Sequence, residues 1–223
     1  MKPHEKDNLR LKVYKDIKDR ILMFELKPGE KIFEKDLAEN LKVSRTPVRE
    51  ALLILEKDRL VECDDRLGFM VRRMQPQEID DFFQIRELLE TYAAPLIINR
   101  ITPEEIEALR EIIENASACL ESRDYRNVVR LNIDFHEILW RSVHSELFFQ
   151  VISGLSNMFI WYRALTARNY EEMKASWEDH RNILIAIQQK NLMEFKRVVA
   201  LHIQHAKESN KIIHGLLFSR DKK

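Results

Sequence analysis

In the first third of the chain, apolar residues recur every three or four positions in three separate segments, and each segment predicts an amphipathic helix. The segments are residues 11–24, 34–41 and 43–55. Lys27–Glu30 contains a Pro-Gly pair and predicts a turn between the first and second helices. In the third segment, Val48, Leu52 and Leu55 form the stripe that we expect to face the core.

The third predicted helix carries two basic residues away from its apolar stripe. Arg45 and Arg49 are four residues apart, so their side chains share one helix face. Ser44 or Thr46 can cap the first turn, and Pro47 is tolerated there because its missing N–H has no partner within the helix. Free backbone N–H groups and two guanidinium groups that point the same way suit phosphate oxygens and the O6/N7 edge of guanine. Taken alone, the pattern also fits a surface helix with two solvated arginines.

The second and third helices, with the segment after them, predict a winged helix-turn-helix. Two short helices joined by a tight turn, the second with a cationic exposed face, are typical of a helix-turn-helix. Residues 60–62 and 68–71 are short β-capable runs that predict a hairpin, the wing. Gly68 would let the wing backbone come close to DNA.

After Gln75–Pro76 the periodicity is helical throughout. Six helices are predicted there, near residues 77–100, 103–122, 124–143, 145–166, 170–190 and 192–218. The start of the second is marked by Thr102-Pro103-Glu104-Glu105, a capping Thr with Pro at the first helical position and two acids in the first turn. Short polar connections between long amphipathic helices predict an antiparallel bundle. The predicted fold is therefore mostly α, with an N-terminal winged helix-turn-helix in residues 1–74 followed by an all-α antiparallel helical bundle in residues 75–223.

Composition adds constraints on the compartment and on the partners. The chain has 223 residues, of which 33% are charged, and only four are glycine, which is typical of a mostly helical protein. Residues 1–74 hold 18 basic and 15 acidic side chains, so DNA contact must come from local placement of charge. Two cysteines cannot build a disulfide framework, and no apolar run is long enough to span a membrane. We expect a cytoplasmic protein with no membrane partner.

Three histidines fall on three different predicted helices beside apolar residues. They are His136, His180 and His202, and Asn132 lies one helical turn before His136 on the same face. Three imidazoles and one oxygen ligand can make a divalent-metal site with open positions for water or a ligand. Core or surface histidines with ordinary hydrogen bonds are the commoner alternative, and a solvated role is the favoured interpretation of His205.

Two arginines, Arg86 and Arg163, are candidates for the neighbourhood of this pocket. Either could hold the far end of a small organic acid that binds the metal through a carboxylate. For Arg86, an ion pair with Glu90 one turn later on the same helix is an equally good interpretation.

The N-terminal motifs resemble the winged-helix domain of GntR-family transcription regulators. The resemblance rests on Leu26–Lys31, Leu37-Ala38 and the string Ser-Arg-Thr-Pro-Val-Arg-Glu-Ala-Leu at residues 44–52. It implies operator binding by a dimer. The implied contacts with double-stranded DNA are Lys35, Ser44, Arg45, Thr46, Arg49 and Gly68. Lys42 departs from the family, which usually has glycine in this turn; a left-handed lysine there would cost roughly 1 kcal/mol.

The C-terminal part resembles the FCD effector domain of FadR-type GntR regulators. Ile85–Glu90 is similar to the signature of its first helix, and Asn132–His136 to its Asp-x-x-x-His element. His180 and His202 match its second and third histidines. The resemblance implies that these positions hold a metal ion in the effector pocket. We expect a divalent ion such as Zn²⁺ or Ni²⁺, because imidazole is a good ligand for both. This chain has Asn132 where Asp is usual, so the ligand set lacks one negative charge.

The expected function is that of a homodimeric transcription regulator whose operator binding is modulated by a small carboxylate at the metal site. One alternative is a metal-dependent, hydrolase-like enzyme that uses the three histidines. The sequence, however, has no glycine-rich phosphate loop and no activated nucleophile pairing. A structural scaffold with an idle winged helix is the other alternative, and it would leave Arg45 and Arg49 without a role.

Overall fold

A computed structural model describes residues 3–64, 66–157, 166 and 169–218 of the chain. The helices are α1 Pro3–Leu22, α2 Glu34–Leu41, α3 Arg45–Lys57, α4 Pro76–Arg100, α5 Pro103–Glu121, α6 Tyr125–Arg141, α7 Glu146–Asn157, α8 Tyr170–Gln188 and α9 Leu192–Phe218. The strands are β1 Lys31–Ile32, β2 Val61–Asp64 and β3 Gly68–Val71. The mostly α fold with a small antiparallel sheet confirms the predicted fold class. None of the helices in these described ranges is long and apolar enough to cross a bilayer.

The chain up to Met74 forms the body of one compact unit. Its core contains the apolar stripe of α3, because Val48, Leu52 and Leu55 are fully buried, as their spacing predicts. Helix α1 packs on α3. It begins at Pro3, well before the predicted start at residue 11. The prediction missed this first part because its polar residues carry no apolar repeat.

A three-stranded antiparallel sheet completes this unit, in the order β1-β3-β2. The hairpin pairs Val61 with Val71 and Asp64 with Gly68, so the two runs predicted as a wing do pair. Strand β1 was not predicted. It has only two residues, and it is defined by its pairing with β3 rather than by a pattern of its own.

The turn of the helix-turn-helix has the left-handed residue that the sequence implied. Lys42 follows α2 with φ 55° and ψ 43°. The Val43 amide then donates to the carbonyl of Ala38, which closes the end of the helix. Ser44 takes the cap position before α3, but its side chain makes no capping hydrogen bond, so the predicted cap is wrong in that respect.

Helices α4 to α9 form the second compact unit, which starts at Gln75. Helix α9 packs on α4 and α8, and α5 packs on α6 and α8. The start signal at Thr102 is confirmed, because its hydroxyl accepts from the Glu105 amide and the Glu105 carboxylate accepts from the Thr102 amide. The fourth helix of the predicted bundle is described as far as Asn157; the remainder of that predicted segment lies outside the described helices.

Candidate DNA-binding surface and histidine cluster

Arg45 and Arg49, the two arginines predicted to contact DNA, lie on the exposed face of α3. Their side chains are 69% exposed at Arg45 and 65% exposed at Arg49, while the stripe on the other side of the helix is buried. Both guanidinium groups are therefore available to a ligand without any unfolding of the unit.

An acidic residue that sequence reasoning missed lies between these arginines. Glu34, the first residue of α2, places Oε2 3.3 Å from Arg45 Nη2 and Oε1 3.4 Å from Arg49 Nη1. The carboxylate thus holds the two guanidinium groups side by side. The contacts are long and the arginines are exposed, so they contribute little to stability. The only sequence signal was an acid in the first turn of α2, which has an ordinary helix-dipole explanation.

The other expected DNA contacts are also at the surface of this unit. Lys35 is exposed and lies 3.8 Å from Glu39 of the same helix, and Ser44 and Thr46 are exposed at the start of α3. Gly68 opens β3 with φ +78°, a conformation that side chains disfavour. A Cβ added there would meet nothing within 4 Å, so the backbone conformation, and not close packing, explains why glycine occupies this position.

In the second unit, the three predicted histidines come together. His136 on α6, His180 on α8 and His202 on α9 are all buried, and their candidate ligand atoms lie within 4.8 Å of one another. The ring centroids of His180 and His202 are 4.7 Å apart, and the His136 centroid is 5.1 Å and 5.3 Å from theirs. The fold therefore gathers one imidazole from each of three helices.

The cluster can hold a single metal ion if the three rings move closer together. Nitrogens bound at about 2.1 Å to one tetrahedral ion lie about 3.4 Å apart, whereas the candidate ligand atoms here lie within 4.8 Å of one another. Asn132 is also buried, one turn before His136 on α6, whereas Asp134 is exposed and does not belong to this face. The donor set is three imidazoles with an amide oxygen nearby.

Aromatic rings wall the cluster and keep water away from it. Phe135 stacks on His180 at 4.3 Å, Trp140 stacks on His136 at 5.5 Å, and the ring of Trp177 meets His180 at 4.6 Å. Within the described part of the chain, the buried indole N–H groups of both tryptophans have no hydrogen-bond acceptor. Buried donors without an acceptor are uncommon, and a bound ligand or an ordered water is a usual way in which they are satisfied.

The ion-pair interpretation of Arg86 is confirmed, and the pair also lies beside the histidine cluster. Its Nε donates to Glu90 Oε1 at 2.6 Å, and both residues are buried. Its Nη2 also lies 3.5 Å from His136 Nε2, so the ion pair reaches the edge of the cluster. Glu90 is thus a further charge beside the site. Arg163, the second predicted effector contact, lies outside the described residues.

Asp179 lies on the other side of the cluster, next to His180 in the chain. One of its oxygens is 3.6 Å from His202 Nδ1 and 2.9 Å from Nδ1 of His205, which is exposed and is not part of the cluster. Burial alone would raise the pKa of Asp179, but its contacts with the two imidazoles outweigh burial and lower it. Burial lowers the pKa of His202 below its ordinary value, with only partial compensation from Asp179. A neutral imidazole is the form that binds metal.

Comparisons with known proteins place both halves of the chain among bacterial regulators. The family model for bacterial regulatory proteins of the gntR family matches residues 9–71, and the FCD domain model matches residues 81–205. The chain is 31% identical to the uncharacterized HTH-type transcriptional regulator YdhC of Bacillus subtilis (strain 168), over 87% of this chain and 88% of that protein. It is 28% identical to the HTH-type transcriptional regulator McbR of Escherichia coli (strain K12), with coverages of 82% and 84%.

The fold has a close match among solved structures. The structure of E. coli McbR/YncC superimposes with a TM-score of 0.80 at 25% identity, covering 94% of this chain and 98% of that one. The similarity therefore extends over both compact units and not only over the helix-turn-helix.

The buried His202 predicts a specific loss of stability in acid. Because its pKa is lower folded than unfolded, the unfolded chain binds more protons once the pH falls below about 6.5. The free energy of unfolding of chelator-treated protein should therefore fall as the pH drops below about 6.5, with a slope of at most about 1.4 kcal/mol per pH unit from this group. His202→Gln should show a shallower fall in urea titrations. An unchanged slope in that variant would contradict the assignment.

Proposed function

The chain belongs to the gntR family of bacterial regulatory proteins and carries an FCD domain, and from this premise we propose that a small organic acid, bound at the histidine cluster with a divalent ion, modulates its binding to operator DNA. It is a transcription regulator with an FCD effector-binding domain. The matched families and relatives are transcriptional regulators and not enzymes, which leaves the hydrolase alternative without support.

DNA binding is assigned to residues 1–74. Arg45 and Arg49 would read base edges in the major groove, since a guanidinium pairs well with the O6/N7 edge of guanine. The amides at the start of α3 suit a phosphate, with Ser44 and Thr46 beside them. Lys35 would contact the DNA backbone, and Gly68 would allow the wing to approach it. Glu34 would keep the two arginines parallel before DNA arrives.

Effector binding and dimerisation are assigned to residues 75–223. His136, His180, His202 and Asn132 would hold the ion, either Zn²⁺ or Ni²⁺, because imidazole is a good ligand for both. When bound, the ion would supply positive charge that attracts a carboxylate. The guanidinium of Arg86, at the edge of the cluster, and the free indole N–H groups would bind further oxygens of the same ligand. Arg163 remains a second candidate for that role.

The observation that carries the effector assignment is the gathering of three buried imidazoles beside a buried arginine. In the described part of the chain, the cluster combines three imidazoles, a nearby cation and the unpaired indole N–H groups of Trp140 and Trp177. It therefore favours a small ligand rich in negatively charged oxygen over an apolar one. For such a ligand to regulate the protein, it must bind one arrangement of the helices better than another.

An exposed apolar face in the second unit supports assembly into a homodimer. On α4 it comprises Ile85, Leu88 and Tyr92, which are spaced by three and four residues, and Leu88 is 72% exposed. On α7 it comprises Leu147 and Val151, and the ring of Tyr92 lies 6.3 Å from that of Phe148 between them. A continuous apolar surface on two helices is typical of a protein–protein interface.

A dimer also explains how a ligand in one unit can affect a DNA contact in the other. The two recognition helices of a dimer must match two half-sites at a fixed spacing. A small change in helix packing that alters this spacing would weaken binding without any change at the recognition helices. The proposal places this action in the cytoplasm, where the chromosome is accessible.

Alanine substitution on α3 tests the DNA-binding half. The probe is a duplex selected by the unaltered protein from a random-sequence pool. We expect Arg45→Ala and Arg49→Ala each to cost about 1–3 kcal/mol of binding to it, measured by fluorescence anisotropy. Lys35→Ala should weaken binding to all sequences and reduce the salt slope by about one. Arg110→Ala on α5 is the control: it removes an exposed arginine outside residues 1–74 and should leave the affinity for the duplex unchanged. Unaltered affinity in a folded Arg45/Arg49 double variant would refute the proposal.

Thermal stability in the presence of Zn²⁺ or Ni²⁺ tests the metal site. Either ion should raise the melting temperature of the protein, because it binds the folded cluster and not the dispersed histidines of the unfolded chain. His180→Ala should abolish this shift, while His205→Ala should retain most of it, since His205 lies outside the cluster. Circular dichroism establishes that each variant is folded. An equal shift in the His180 variant and in the unaltered protein would exclude the cluster as the binding site.

Sedimentation tests the dimer. Leu88→Arg places a charge in the apolar face of α4 and α7 and should convert a dimer into a monomer at micromolar concentration. The matched control is Ile185→Arg on α8, which replaces a similarly apolar and 46% exposed residue of a helix that packs on α5 and α9. A monomeric unaltered protein, with or without DNA, would contradict the proposed assembly.

A further inference from the structure

The carboxylate of Glu34 lies between the two guanidinium groups that are proposed to read DNA. It is 3.3 Å from Nη2 of Arg45 and 3.4 Å from Nη1 of Arg49, across 11 and 15 residues of sequence. The side chain of Glu34 is only 14% exposed, whereas those of the two arginines are 69% and 65% exposed. The acid therefore lies beneath two cations that face the solvent.

One negative charge is a large share of the charge balance in this unit. Residues 1–74 hold 18 basic and 15 acidic side chains, so the excess of positive charge is small. Two guanidinium groups and one carboxylate together carry a single positive charge. Attraction between cationic side chains and phosphates supplies essentially all of the sequence-independent affinity for DNA. The charge of Glu34 therefore opposes that part of the affinity.

The contacts with Glu34 leave both arginines able to bind a base. A guanidinium has five N–H donors, and each contact with Glu34 uses one terminal nitrogen, so a complete two-donor edge of each group stays free. A guanine edge is neutral, and it requires two donors that point in the correct direction. A phosphate is bound mainly through its charge, which Glu34 already balances in part. Glu34 thus affects the two kinds of DNA contact unequally.

We propose that Glu34 is a positioning residue that sets specificity: it competes with DNA phosphates for Arg45 and Arg49, and so weakens sequence-independent binding more than binding to the operator. The inference rests on the proposed DNA-binding function and concerns how that function discriminates between sequences. Glu34 acts through the two arginines. The ratio of specific to nonspecific affinity is what matters to a regulator, because the other sites of a genome compete for it in large excess.

Glu39 on the same helix, α2, provides a matched comparison. It lies 3.8 Å from Lys35, and the side chains of both residues are well exposed. Lys35 is the residue proposed to contact the DNA backbone, which is the same in every sequence. The charge of Glu39 therefore opposes a phosphate contact only, and it should weaken binding to all sequences by one factor. Glu34 and Glu39 thus carry the same charge on one helix but face DNA contacts of different kinds.

The test compares Glu34→Gln with Glu39→Gln in the full-length protein. Fluorescence anisotropy measures binding to the selected duplex, and to a duplex of the same length and base composition in scrambled order, over a series of salt concentrations. Glu34→Gln should bind the scrambled duplex roughly 3–10-fold more tightly at low salt, with a salt slope that is steeper by about one. Its affinity for the selected duplex should rise less, because arginines released from Glu34 must be ordered again before they meet a base.

The ratio of the two affinities should therefore fall by roughly 2–10-fold in Glu34→Gln, and it should stay unchanged in Glu39→Gln. An unchanged ratio in Glu34→Gln, or an equal fall in both variants, overturns the inference and leaves the DNA-binding assignment in place. A fall that comes only from weaker binding to the selected duplex overturns the competition with phosphates. If the unaltered protein does not prefer the selected duplex, the proposed DNA-binding function fails, and the inference fails with it. Glutamine has almost the shape of glutamate, and circular dichroism checks the fold of both variants.

Discussion

The second unit depends on the burial of three imidazole rings at one point. Burying a polar group without a hydrogen-bond partner or ligand costs about 1–3 kcal/mol of stability. Imidazole rings are therefore stable in a protein interior only where neighbouring groups or a ligand compensate for the lost water. Helices α6, α8 and α9 each contribute one ring, and Phe135, Trp140 and Trp177 pack against them. The relative positions of three helices are therefore tied to one cluster. A ligand that draws the rings together acts directly on helix packing, which is the property that a switch between two arrangements requires.

Burial also explains why the arginines of the two units have different partners. Arg45 and Arg49 stay in water, and their contacts with Glu34 are 3.3 Å and 3.4 Å long, so little free energy would be lost if they exchanged Glu34 for DNA, as proposed. Arg86 is buried, and without Glu90 its charge would be strongly destabilising. The exposed contacts of Glu34 with Arg45 and Arg49 are suited to an exchange of partners. The buried Arg86–Glu90 pair is suited to hold one arrangement of the helices until a new charge enters the cluster. The two kinds of ion pair match the two tasks proposed for the units.

Most of the secondary structure was predictable because it depends on residues that are close in sequence. The buried stripe of α3, the capping box at Thr102 and the left-handed Lys42 are local features, and the structure agrees with each. Strand β1 was missed because two residues carry no period, and only pairing with β3 makes them a strand. The early start of α1 was missed because its first residues are polar. A residue in a cap position does not always cap, as Ser44 demonstrates.

For the candidate sites, the sequence alone determined which chemistry is available. It places one histidine on each of three helices, an asparagine one turn before the first, and two arginines on one face of a recognition helix. Helical periodicity decides which residues share a face, so these features needed no fold. Only the tertiary structure decided that Glu34 lies between Arg45 and Arg49, that Asp179 faces His202, and that the Arg86–Glu90 pair reaches His136. Such contacts join different helices, and their distances follow from how all the side chains between those helices pack, which no local pattern encodes.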